Sequence, residues 1–104
     1  MVERGIVALV LLPLAAGAAE PPPARQADLL HLLRHDCGSC HGLTLRGGLG
    51  PPLLPASLAE RDVEALAEVI RGGVPGTPMP PWGFAIEPDE ARWLAHRLKA
   101  GEGR

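Results

Sequence analysis

Cys37-Gly38-Ser39-Cys40-His41 contains both cysteines of this 104-residue chain. Two thiols three residues apart lie on one side of a helical turn. Both can therefore reach the two vinyl groups along one edge of a porphyrin. A histidine directly after the second thiol can then turn its imidazole onto the iron. C-x-x-C-H is the attachment motif of a c-type haem, so Cys37 and Cys40 are candidate covalent anchors and His41 a candidate iron ligand.

Other uses of the same residues are weaker. A thioredoxin-like thiol pair expects a βαβ context, and no segment here reads as a strand. A disulfide between residues this close would close a very small loop and constrain the unfolded chain little. A zinc site needs four ligands, so Cys37, Cys40 and His41 would have to recruit His31, His35 or His96. The haem reading stands ahead of the thiol and zinc readings.

The N-terminus has the pattern of an export signal. Arg4 supplies positive charge, Gly5–Leu14 is almost unbroken apolar sequence, and Ala15-Ala16-Gly17-Ala18-Ala19 offers small residues for cleavage before Glu20. The apolar stretch falls short of the roughly 20 residues that span a bilayer, so residues 1–19 read as a signal peptide and no stable membrane insertion is expected. Export points to the periplasm. Cleavage after Ala19 would leave 85 residues, one small domain with a marginal core of its own. The chain has one Phe, two Trp and no Tyr, so a buried haem would supply flat apolar bulk that the side chains lack.

Formal net charge is −2, and Lys99 is the only lysine. Without a basic stripe, nucleic-acid binding is disfavoured. A lysine ring for steering an acidic partner is also missing, which favours docking through a mainly apolar surface. The expected state is a monomer.

Residues 20–26, opening with Pro21-Pro22-Pro23, read as a flexible lead-in, and residues 27–101 as the folded domain. The pattern predicts a first helix from about Arg25 to Cys37, with Leu29, Leu32 and Leu33 on one face beside Leu30. Residues 42–54 form a Gly/Pro-dense loop containing Leu45, Leu49, Leu53 and Leu54, expected to pack on the porphyrin. A middle helix follows, capped by Asp62, with Val63, Leu66, Val69 and Ile70 on one face and Gly72-Gly73 at its end. Ser57 and Glu60 offer an alternative capping box. A last helix is predicted over Pro88–Lys99, with Ala91, Leu94, Ala95 and Leu98 as its apolar stripe, Trp93 at the margin, and Gly101 as its stop. The fold class is all-α.

Between these helices, residues 73–84 hold Pro75, Pro78, Pro80 and Pro81 around Met79. Met79 is the one methionine left after signal removal, 38 residues beyond His41. That length of chain can pass around a flat ring and return on its far face. A thioether favours ferrous iron and raises the reduction potential, and an iron closed on both sides suits electron transfer. Met79 is therefore the candidate second ligand, against the alternative of an apolar filler. His31 and His35 share the helix of the proximal side, and His96 lies on the last helix; all three are expected to be solvated.

The chain resembles the small class I cytochromes c over about Leu29–Leu98. The resemblance rests on Cys37-Gly38-Ser39-Cys40-His41, Gly50-Pro51-Pro52-Leu53 and Gly76-Thr77-Pro78-Met79-Pro80. It implies three main helices with long Gly/Pro loops around one covalent haem c, the first and last helices crossing at Leu29, Leu33, Leu94 and Leu98. It also implies that the Pro51 carbonyl accepts the His41 N–H and that Pro51 and Leu53 line the haem. The Tyr or Asn that hydrogen-bonds the methionine sulfur in this class has no counterpart here. Within the class, the motif with Gly42-Leu43-Thr44, the Gly47–Leu53 loop and Thr77–Trp82 is most similar to the c55X-type cytochromes, which are associated with cytochrome cd1 nitrite reductase. The implied function is a periplasmic carrier of single electrons to a terminal reductase, that nitrite reductase being the candidate partner, and not an enzyme. The alternative is a maturation factor in d1 haem or nitrite reductase assembly. A small peroxidase or gas sensor would require an open iron.

Overall fold

The computed structural model describes Gly5 and residues 20–102. The signal peptide expected over residues 1–19 lies, apart from Gly5, outside the described residues. The described residues form helices and loops and no strand. Helix α1 (Pro23–Leu32) runs into a π-helical segment, Leu33–Cys37, and then into α2 (Gly38–His41). A short α3 (Pro55–Leu58), α4 (Val63–Gly72) and α5 (Pro88–Lys99) follow. The expected all-α architecture is what the chain adopts.

The lead-in expected over residues 20–26 is corrected by the position of Pro23. It opens α1 at a place where a missing N–H costs nothing and a fixed φ already suits the helix. Gln26 holds that turn, its N–H donating to Pro22 O at 2.9 Å and its side-chain amide to Pro21 O at 2.8 Å. The predicted Ser57/Glu60 capping box does not form. Pro55 opens α3 instead, with Leu54 as its N-cap and Ser57 inside the helix. The stretch between Leu32 and Gly38 is π-helical where α-helix was predicted.

Helix α5 is the centre of the packing, in contact with α1, α3 and α4. Pro88 fills its first position. Glu87 and Glu90 form a capping box, each side chain accepting from the other's backbone N–H. Its inner face, Ala91, Leu94, Ala95 and Leu98, is buried, and Trp93 is buried with it rather than left at the margin. Leu29 and Leu33 join the same core, together with Leu45, Leu58, Leu66, Ala67 and Ile86. Leu45 comes from the loop after α2, so that loop is anchored to the core.

Two polar ties fix the chain ends. Arg25 on α1 donates from Nε to Glu90 Oε2 at 2.6 Å and from Nη2 to Glu90 Oε1 at 3.0 Å and Ala85 O at 2.7 Å. Lys99 donates from Nζ to Leu58 O at 3.1 Å, to Ala59 O at 3.5 Å and to Arg61 O, covering carbonyls at the end of α3.

Candidate functional site

Helix α2 ends at His41, and the loop behind it folds back onto the helix end. Gly50 N–H donates to Cys40 O and Gly47 N–H to His41 O, both at 2.8 Å. These bonds satisfy carbonyls that a helix terminus otherwise leaves open. Leu53 N–H donates to Leu45 O at 2.9 Å, and Leu53 packs half-buried against the core. The loop is thereby held against α2, with Pro51 beside the imidazole.

The Pro51 carbonyl lies 2.7 Å from His41 Nδ1. A carbonyl only accepts, so Nδ1 must carry the proton. Nε2 is then left with a lone pair, the state a metal-binding imidazole needs. Gly50 makes this approach possible. A Cβ at that position would stand 2.7 Å from His41 Cε1 and Nδ1, inside any tolerable contact.

Cys37 and Cys40 are free thiols, both half-buried. Burial, and then the charge of Asp36, pushes the Cys37 thiol up to about 11. A catalytic thiol-exchange pair depends on a lowered thiol pKa, so this environment argues against that use. Among the described residues no group of three or more His, Cys, Asp and Glu is placed to hold a metal ion, which removes the four-ligand zinc arrangement.

Met79 is held by a separate loop. Its carbonyl accepts from Val74 N–H at 3.2 Å. Its N–H donates to Thr77 Oγ1 at 3.3 Å, and that hydroxyl donates to Val74 O at 2.7 Å. Trp82 N–H to Ile70 O and Gly83 N–H to Arg71 O, both at 3.0 Å, fasten the loop to the end of α4. Gly73 admits the crossing, having φ +67° and room for no Cβ beside Met79 O at 2.7 Å. The Met79 side chain is half-buried, and its backbone hydrogen bonds stay within this loop. His31, His35 and His96 are all exposed.

Comparison with known proteins places the chain. A family model described as cytochrome c oxidase, cbb3-type, subunit III matches residues 24–96. Cytochrome c55X of Paracoccus denitrificans is 56% identical over 90 residues, covering 86% of this chain and 87% of that protein. The chain belongs to the cytochrome c55X family. A solved c-type cytochrome, NirC, superposes with a TM-score of 0.78 at 52% identity, covering 80% of this chain and 98% of its own. Dihydro-heme d1 dehydrogenase of Pseudomonas aeruginosa is 39% identical over 87 residues, which is 84% of this chain but 16% of that enzyme.

A c55X cytochrome is a haem protein of electron transport, and the residues present fit the group. The donor set is an imidazole with Nε2 free, two thiols one helical turn apart, and a thioether on a fastened loop. Among the described residues, the large apolar side chains that stand exposed are Leu43, Leu49, Val74 and Phe84, at 74%, 77%, 38% and 84%. All four lie in the two loops that carry Pro51 and Met79. Exposed apolar side chains on the loops that hold the candidate ligands are surface that a bound cofactor could cover.

Proposed function

We propose that this protein is a periplasmic cytochrome with one covalent haem c that carries single electrons to a terminal reductase, with cytochrome cd1 nitrite reductase as the candidate. Cys37 and Cys40 are the anchoring thiols, His41 Nε2 and Met79 Sδ the two iron ligands. Pro51 orients His41, and Leu53 supports the loop against the cofactor. Bound in this way, the haem supplies a one-electron couple that a thioether ligand shifts to higher potential. The observation that carries the reading is the 2.7 Å contact between His41 Nδ1 and the Pro51 carbonyl. It fixes the tautomer and raises ligand basicity. The relatives named cytochrome c55X support the link to nitrite reductase systems.

The Met79→Ala variant tests the assignment. The reduced variant should bind carbon monoxide at neutral pH where the unaltered protein does not, and its potential should fall. A variant with the parent's optical spectrum and potential would exclude Met79 as a ligand.

A maturation role in d1 haem or nitrite reductase assembly is favoured by the similarity to dihydro-heme d1 dehydrogenase. Gene deletion separates the two roles. Loss of a carrier leaves a cofactor-complete reductase that turns over slowly, whereas loss of a maturation factor leaves reductase without its d1 haem.

A further inference from the structure

The stretch His31-Leu32-Leu33-Arg34-His35 crosses from α1, which holds His31, into the π-helical segment Leu33–Cys37, which holds His35. In an α-helix, residues four apart stand with Cβ atoms about 5–6 Å from one another. Here the His31 and His35 rings lie with centroids 4.1 Å apart and planes tilted by 44°. Both residues are exposed, and among the described residues neither ring takes a hydrogen bond or ion pair from the protein. The result is two adjacent imidazoles on exposed residues of one helix.

We propose that His31 and His35 form a two-histidine chelate for a late first-row divalent metal ion, on the outer face of the helix that carries the C-x-x-C-H motif. Metal–imidazole bonds of about 2.0–2.1 Å at a right-angled bite place the two nitrogens about 3 Å apart. Rings with this centroid separation reach that spacing by small side-chain rotations. Imidazole suits Cu2+, Ni2+ and Zn2+, and Cu2+ binds most strongly in the general order of such ions. No third His, Cys, Asp or Glu completes the set among the described residues. Water or a donor from a docked partner fills the remaining positions, and the ion is exchangeable. The site is independent of the haem ligands.

The test is a calorimetric titration of the ferric haem-loaded protein with Cu2+, comparing the unaltered chain with His31→Ala, His35→Ala and His96→Ala. One ion per chain is expected. Each of the first two substitutions should weaken binding at least tenfold, and His96→Ala should leave it unchanged. A loss below tenfold in either of the first two variants overturns the chelate. A second readout needs no variant: substoichiometric Cu2+ should broaden the His31 and His35 ring resonances first, and broadening that begins elsewhere overturns the proposal.

Discussion

At Gly50 the space that a methyl group would need is already taken by the His41 ring. The ring cannot retreat without lengthening its bond to the Pro51 carbonyl. Gly50→Ala should therefore destabilise the haem-loaded protein by about 1–3 kcal/mol, the usual range for overpacking, and perturb the optical spectrum. Thermal unfolding and a visible-region scan check this, and an unchanged melting point would show that the ring has room to move. Part of this geometry was legible in the sequence: the motif grouped Cys37, Cys40 and His41 as candidates, and the resemblance paired Pro51 with His41, the contact the structure has. The role of Gly50 was not, because a bare glycine reads as a turn until the atom it makes room for is known. The His31–His35 pair was read only as solvated, since the rotamers that set two rings side by side leave no mark in composition or spacing.

Among the elements, α1 and α5 are joined by Arg25 and Glu90. The hydrogen bond from Arg25, assisted by the backbone N–H of Glu87, holds the Glu90 carboxyl below the usual carboxylate range. A carboxylate with a lowered folded pKa adds stability above its unfolded value, near 4.3. That contribution disappears as pH falls through the folded value. Glu90→Gln should accordingly cost about 1 kcal/mol at pH 7, or about 5 °C in melting temperature for a domain of this size. The difference from the unaltered protein should shrink below pH 4 and vanish in stronger acid. A gap of constant size across that range would assign the effect to packing instead. Helix α5 was readable from end to end, because Pro88, Asp89, Glu90, the apolar stripe and Gly101 all signal the same boundaries. Helix α1 was read two residues short, since three consecutive prolines suggest a break although the third is well suited to a first helical position. Ser57 and Glu60 have the spacing of a cap, but Pro55 starts the turn earlier.

For the molecule as a whole, the described core is built from leucine, alanine, one isoleucine and Trp93. Chains this short bury too little surface to be secure alone. A cofactor bound only by the folded state adds its binding free energy to stability. The Cys37→Ser/Cys40→Ser variant, which cannot form thioether bonds, should lack a cooperative thermal transition by circular dichroism. A transition near that of the haem-loaded protein would mean the helices hold together unaided.

Lys99, the chain's sole lysine, has its ammonium turned inward onto Leu58, Ala59 and Arg61. Reagents that couple side-chain amines will therefore find their single target already engaged. A complex between this molecule and another protein is better captured by activating carboxylates here and joining them to amines on the other protein.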